Sequence, residues 1–393
     1  MRILQVVPAL NTGGVEQGCI DIAKALIMRG HPALIVSSGG RLTGSLNEMG
    51  ATHFQLPVHS KNPLRILMNA FTLAKLCRQF EVDLIHVRSR APAWTCWLLQ
   101  KCWGIPYLST FHGQYGHHSR LKRLYNSAML RGRACIAVSD FIAHHINLTY
   151  ASLLNQGANS SEQLAHKPAI IKILRGINLD YFAIEKVDNL VKESLIKRWQ
   201  LDVNEPLLIL PGRLTRLKGH QLVIDALAGL PRTTKYLCLF IGPTKTNDHY
   251  LKELKKSIQQ KGLSDKIKFV GDCDHMREAY ALSDLVISAS TKPESFGRIA
   301  VEAQAMGCTV LASKHGGSEE TIAPNNAWGL FEPNSSQALT QTLSLALQLP
   351  PTCNKNPKDA ALQTRDFIQK SFDTKRMEKE TLALYAKLIK QSK

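Results

Sequence analysis

Short apolar runs alternate with amphipathic stretches along almost the whole chain. The first run spans 2–8, residues 11–14 form a polar turn, and 15–29 repeats Ile20, Ile22, Ala23, Leu26 and Ile27 at helical spacing until Gly30 stops it. Further apolar runs predict strands over 31–37, 53–56, 83–87, 107–111, 134–138 and 170–174. Between them, helices are expected over 42–49 and from Pro63 onward, the latter with Leu67, Phe71, Ala74 and Leu76 on or near its buried face. Two more are expected over 117–133, with Leu121, Leu124, Ala128 and Leu130 toward an apolar side, and over 140–148 behind a Ser139 cap. Residues 151–166 are polar and read as a loop.

A mostly helical stretch at 184–203 leads into a second series. Strands are predicted over 207–210, 236–241, 267–270, 284–288 and 309–312, with helices over 220–227, 250–261, 276–282, 298–306, 337–349, 360–371 and 374–389. Strand–helix alternation of this kind builds parallel sheets, so the fold class is α/β. At 393 residues the chain is too long for one ordinary core. The expected division is 1–185 and 186–373, followed by a last helix over about 374–393.

Composition narrows the class. An apolar fraction of 44% with 20% charged residues is that of a folded globular protein. The nine Cys are odd in number and lack zinc spacing, which favours a reducing compartment without disulfides. The N-terminus does not read as a signal peptide and no apolar run is long enough to span a bilayer, so a cytoplasmic location is expected. The net charge of +18 is spread over both halves: residues 1–185 carry 19 Lys/Arg against 9 Asp/Glu, and the remainder 30 against 22. Such a surface suits a phosphorylated substrate or an anionic membrane. The basic helix at 120–131, with Arg120, Lys122, Arg123 and Arg131, is a candidate for contact with the inner face of a cytoplasmic membrane. Nucleic acid is not expected, because the cations are dispersed and no stacking aromatics accompany them.

The candidate chemistry lies where predicted strands end. Gly13 and Gly14 follow the first strand and would allow close approach of a bound group, with the amides of the next helix available to an anion. The pattern is not the GxGxxG fingerprint of dinucleotide binding. His112 follows the strand at 107–111 and could donate to a sugar hydroxyl or a phosphate. Arg213 and Lys218 flank a turn after the strand at 207–210, a pairing suited to a diphosphate leaving group. Between 288 and 323 the chain carries Glu294 and Glu302, a turn at Pro293–Gly297 and a second Gly pair. Two such carboxylates could form a hydrolytic acid/base pair, but their Gly turns and helix starts favour holding a nucleotide sugar. Asp272 and Asp274 have DxD spacing, yet their place just before a helix reads as capping rather than metal binding.

These segments together resemble the GT-B retaining glycosyltransferases of family 4. The resemblance rests on GGVE at 13–16, His112-Gly113, AVSDFI at 137–142 and RGINLDYF at 175–182, then on GRLTRLKG at 212–219, ESFGRIAVEAQAMG at 294–307 and HGGSEE at 315–320. It implies two Rossmann-like domains facing across a cleft, with the last helix, about 374–393, packing back on the first, and transfer of a hexosyl unit from a nucleotide-diphosphate sugar to a glycan or lipid-linked acceptor. It implies that no metal or other cofactor is needed. Glu294 would lie by the donor sugar and the reacting centre, Glu302 by the ribose, and Arg213 with Lys218 by the pyrophosphate. The backbone of Phe296, Gly297 and Arg298 would help hold the diphosphate or sugar. Gly14 and His112 would contribute from the first domain. Arg175 stands where the family more often has Asn, and Asn178 where it has Asp. A nucleotide-sugar epimerase of the same shape is the alternative reading, distinguished by needing no acceptor.

Overall fold

The computed structural model describes residues 1–11, 13–116, 118–152, 168–202, 204–243, 249–348 and 359–391, and the loop expected at 151–166 lies almost wholly outside them. The chain divides into two units, Met1–Arg175 with Thr374–Lys393, and Gly176–Asp373. The division falls after Arg175, ten residues before the expected one, because Ile177 pairs with Asp373 and Phe182 packs on Tyr280 in the second unit.

The first unit is built on seven parallel strands: β1 (Ile3–Val6), β2 (Ala33–Ser37), β3 (Thr52–Gln55), β4 (Leu84–Val87), β5 (Tyr107–Phe111), β6 (Ala134–Ala137) and β7 (Ala169–Lys172). Their order across the sheet is β3-β2-β1-β4-β5-β6-β7. Successive side chains of a strand point to opposite faces, and both faces are covered. Leu4, Val6, Ile85 and Val87 pack on one side with Leu73, Ala74 and Cys77. Ile3, Ile35, Leu84 and Leu108 pack on the other with Ile22, Leu26, Leu382, Tyr385 and Leu388. Burial on both faces explains why these strands read as continuous apolar runs.

The C-terminal helix Thr374–Lys390 belongs to this second layer, and one buried hydrogen-bond chain ties it there. Tyr385 Oη lies 2.5 Å from His86 Nδ1, and His86 Nε2 lies 2.6 Å from Thr110 Oγ1. Replacing Tyr385 by Phe strands the His86 nitrogen in the core. We expect a loss of about 1–3 kcal/mol in the stability of this unit, measured by urea unfolding.

Three helices of this unit depart from the sequence-based expectation. Helix Pro63–Gln79 starts behind an Asn62 cap and buries Asn69, Ala70, Leu73, Ala74 and Cys77, whereas Leu67 and Phe71 face outward. The apolar residues form two stripes, and the periodicity did not distinguish which of them the sheet takes. Leu121 and Leu124 are likewise exposed on helix Arg120–Ser127, which gives way to a buried 3₁₀ turn at Ala128–Leu130. A helix over Arg90–Trp103 had not been anticipated. Its Pro92 falls in the first turn, where the missing N–H costs nothing. Ser139 does cap its helix, its hydroxyl accepting from the Ile142 amide.

The second unit repeats the plan with β8 (Leu207–Pro211), β9 (Leu237–Ile241), β10 (Ile267–Gly271), β11 (Leu285–Ser288), β12 (Thr309–Ser313) and β13 (Leu330–Phe331), all parallel, in the order β10-β9-β8-β11-β12-β13. β13 is two residues long and escaped the sequence reading for that reason. In each sheet the order reverses beside its first strand, β1 against β4 and β8 against β11. Ligands of open α/β sheets bind outside the carboxyl ends of strands at such points.

Candidate functional site

In the second unit, the loops leaving β8 and β11 arise from neighbouring parallel strands and therefore meet at one sheet edge. Lys218 ends the 3₁₀ turn Arg216–Lys218 after β8, and Glu294 follows β11. Their side chains form an ion pair, Lys218 Nζ to Glu294 Oε1, at 2.6 Å. The Ser290 hydroxyl also donates to Glu294 Oε1, and His315 Nε2 bonds to the Ser290 carbonyl at 2.8 Å. Burial pushes the Glu294 carboxyl up. The Lys218 charge, the hydrogen bonds from Lys218 and Ser290, and His315 outweigh it, so Glu294 sits below its ordinary value and is ionised at neutral pH. Arg213, two residues beyond β8, is exposed and makes no ion pair with a described residue.

The Glu294 turn is held by the loop after β12. Gly317 N donates to Glu294 O at 2.7 Å, and Glu294 pairs with Gly316 in an isolated bridge. Gly316 has φ +63°, and a Cβ there would come within 3.0 Å of the Glu294 nitrogen. Only glycine fits both the conformation and the approach. Gly297, at φ +90°, plays the matching part at the start of helix Arg298–Ala305. Phe296 is buried edge-on to Phe372, with ring centroids 5.5 Å apart, so its backbone rather than its ring is what a ligand can reach.

Glu302 occupies a separate cluster one turn into that helix. Its Oε1 accepts from Arg298 Nε at 2.5 Å and its Oε2 from the Tyr280 hydroxyl at 3.0 Å. Burial, then the Glu302 charge, raises Tyr280 well above its ordinary value, so it stays a neutral donor. Glu302 is thus a buried acceptor held rigid from both sides. Replacing it by Gln keeps the shape and removes the charge. If Glu302 holds the donor's ribose, the donor KM should rise about tenfold with kcat little changed, since a hydrogen bond to a charged group is worth about 1.5–3 kcal/mol. An effect confined to the acceptor KM excludes that role.

The aspartates at 272 and 274 do not cap the next helix: His275 holds the N-cap position without a side-chain bond, and Asp272 Oδ1 accepts from the Cys273 amide. Among the described residues no group of three or more His, Cys, Asp or Glu side chains could hold a metal ion.

In the first unit, Gly13 and Gly14 follow β1, Arg88 follows β4, His112 follows β5 and Arg175 lies beyond β7. Gly13 is extended, and Gly14 opens helix Gly14–Met28 without a side-chain cap. The Arg175 guanidinium donates to the Gly14 carbonyl, and a Cβ on Gly14 would meet Arg175 Nη1 at 2.6 Å. Arg88, buried, gives Nε and Nη2 to Gln5 Oε1 at 3.0 and 2.7 Å. Both ring nitrogens of His112 are buried without a hydrogen-bond partner among the described residues. Burial, then the charges of Arg175 and Arg88, hold His112 well below its ordinary value. The ring is therefore neutral, with one donor and one acceptor to offer. It shares a small cavity with Gly18, His86, Arg88, Thr110 and Arg175.

The structure thus joins Lys218 with Glu294, joins Arg298 with Glu302, and places His112 by Arg175 near Gly14. Sequence reasoning had assigned no role to Ser290, Tyr280, His315 or Arg88. The available signals were Ser290, four residues before Glu294, and His315, the first residue of the HGGSEE segment.

Comparison with known proteins identifies the family and the fold. The family model for glycosyl transferases group 1 matches residues 191–363, and that for glycosyltransferase family 4 matches 12–151. A crystal structure of a glycosyltransferase from Rickettsia africae is 34% identical, covers 99% of this chain and 98% of its own, and superposes with a TM-score of 0.86. The Anabaena HepE protein, crystallised with UDP and glucose, is 21% identical with a TM-score of 0.79 over 98% of this chain and 100% of its own. Among curated proteins, a D-inositol 3-phosphate glycosyltransferase from Xylanimonas cellulosilytica is 24% identical over 79% of this chain and 78% of its own. A lipopolysaccharide 1,2-N-acetylglucosaminetransferase from Salmonella typhimurium is 33% identical over 38% of this chain and 42% of its own. With parallel sheets of seven and six strands, the fold is α/β of the GT-B class. The chain belongs to the group 1, family 4 glycosyltransferases and is an enzyme of glycosyl transfer.

Proposed function

We propose that the enzyme moves a hexosyl unit, with retention of configuration, from a nucleotide-diphosphate sugar to a hydroxyl of a phosphorylated or lipid-linked glycan in cell-envelope or lipopolysaccharide synthesis. The observation that carries this reading is the Lys218–Glu294 pair beside Arg213, which leaves the same strand end and makes no ion pair with a described residue. Two cations at a sheet's switch point suit a diphosphate leaving group, whose own oxygen can accept the acceptor's proton. Glu294, ionised and fixed from three directions, suits the hydroxyls of the transferred sugar. A UDP-sugar is the favoured donor, which the UDP and glucose bound by the HepE protein support. The two curated relatives, named for an inositol phosphate and for lipopolysaccharide, support an anionic acceptor. The basic helix Arg120–Ser127 would let the enzyme work at the inner membrane surface. No metal takes part in this scheme.

A thermal-shift screen of nucleotide sugars tests the donor, because a ligand of the folded state raises its apparent stability. Proton NMR of the product formed with the stabilising donor then reads the anomeric configuration. An inverted product, or turnover of the donor sugar to its epimer without acceptor, overturns the proposal.

A further inference from the structure

Arg88 is a buried cation in neutral company. Only 5% of it is exposed, and besides the Gln5 oxygen its guanidinium bonds the Tyr385 hydroxyl. Burial raises the Cys19 thiol to about 11 and raises the Tyr385 hydroxyl as well. Burial, then the Arg88 charge, holds His86 well below its ordinary value. Thiol, phenol and imidazole are therefore all uncharged at neutral pH. The acids of the adjoining helix Gly14–Met28 look elsewhere: Glu16 turns back over Gly13, and Asp21 accepts from Gln17 at 2.8 Å. Arg88 thus makes no ion pair with a described residue. Buried charges are ordinarily paired, because leaving water without a counter-charge is costly.

A second cation converges on the first. A Cβ added to Gly18 would lie 3.4 Å from Arg88 Nη1 and 3.8 Å from Arg175 Nη2, so both guanidiniums turn toward one point near the start of this helix. The helix N-terminus adds partial positive charge there. His112 shares a cavity with both arginines, and neither of its buried ring nitrogens has a partner among the described residues. The group stands beside β1 and β4, where the strand order reverses.

We propose that Arg88, Arg175 and His112 form a phosphate site of the first unit, which takes a phosphate group of a substrate. Arg88 is its fixed cation, aimed by Gln5 and Tyr385. Arg175, half-buried, is the movable one: it gives up the Gly14 carbonyl and closes on the phosphate. His112 donates from its protonated nitrogen. The inference rests on the reading of the substrates as anionic, and it names the residues that recognise one of them.

Isothermal titration with inorganic phosphate tests it. The full-length Arg213→Ala/Lys218→Ala protein is used, so that the cations of the second unit do not contribute. It should bind phosphate, and adding Arg88→Gln should weaken that binding by about tenfold or more, the scale of a lost hydrogen bond to a charged group. Arg88→Lys should recover part of the loss, since it keeps the charge but not the planar fork. Arg175→Asn should weaken binding several-fold, and it carries the comparison should Arg88→Gln fail to fold. In the wild type, the histidine NMR signal that is missing from His112→Gln should shift when phosphate is added. The nucleotide sugar selected by the screen above shows whose phosphate the site reads. Phosphate that binds beside the donor stands in for the acceptor's group, and phosphate expelled by the donor stands in for its diphosphate. The proposal is overturned if the Arg213→Ala/Lys218→Ala protein does not bind phosphate, or if Arg88→Gln and Arg175→Asn leave the affinity unchanged. Either result leaves the donor reading standing, because the thermal-shift screen is made on the wild type.

Discussion

Lys218→Ala should lower kcat/KM for the donor by about 100-fold or more, the scale observed when one preorganised charge-stabilising donor is removed. Two losses combine. The cation meant for the departing diphosphate disappears, and Glu294 loses the 2.6 Å partner that keeps its buried carboxylate ionised and in place. Ser290 and His315 remain, but only Ser290 is bonded to the carboxylate, and it is neutral. A buried carboxylate without its cation moves up in pKa and becomes partly protonated. The variant should therefore recover some activity as pH is raised from 5 to 7.5, whereas the wild type gains none from Glu294 over that interval. Arg213→Ala is the control. It removes a comparable cation that is exposed and makes no ion pair with a described residue, so it should slow turnover without moving the thermal midpoint. Release of nucleoside diphosphate, followed continuously, measures both. Wild-type kinetics in Lys218→Ala would remove this lysine from the mechanism.

What could be read in advance follows from the range of the forces involved. Parallel strands buried on both faces leave a continuous apolar run, so β1, β2, β4, β5 and the strands of the second sheet were visible, β13 apart. Each motif loop had to follow a strand, and the parallel sense then put all of them at one edge of their sheet. Orientation of a helix with two apolar stripes was not legible, because the choice depends on which stripe fits the sheet: Leu73 is buried and Phe71 is not. Long-range partners were invisible for a similar reason. Nothing in the spacing joins Tyr280 to Glu302, Gln5 to Arg88, or Tyr385 to His86, since those bonds exist only once the sheets have formed. The aspartates before helix Met276–Leu282 show the limit of a local rule: they had the composition of a cap but not the position.

Between pH 6.5 and 4 the second unit should lose about 3 kcal/mol of stability through one side chain, His220. Its ring is buried edge-on to Phe240, with centroids 5.1 Å apart, and its Nδ1 has no partner. Burial lowers its pKa, a hydrogen bond to the Thr215 backbone raises it, and Lys218 lowers it again, leaving it at about 4. An unfolded histidine titrates near 6.5, so throughout this interval the unfolded chain binds the extra proton. Stability is then fully present above pH 6.5 and falls by about 1.4 kcal/mol per pH unit until the folded ring titrates. Glu294, shifted below the ordinary carboxylate value, adds its own loss only at still lower pH, so the upper part of the interval belongs to histidine. In the first unit, His86 and His112 are lowered in the same direction, chiefly by burial, and should make that unit acid-labile as well. Urea unfolding at a series of pH values, with His220→Gln for comparison, reads the effect as a slope. The variant should lose close to one proton of pH dependence in the second unit and none in the first. His220 opens the helix one residue beyond the Lys218 turn, after the Gly219 cap, and its ring bonds the Thr215 backbone at the base of that turn. That bond favours the protonated ring and survives its titration, so the Lys218 turn should hold until the unit unfolds, and donor turnover should be lost together with structure. Loss of activity well above the unfolding midpoint would show that protonating His220 disturbs the Lys218 turn while the unit is still folded.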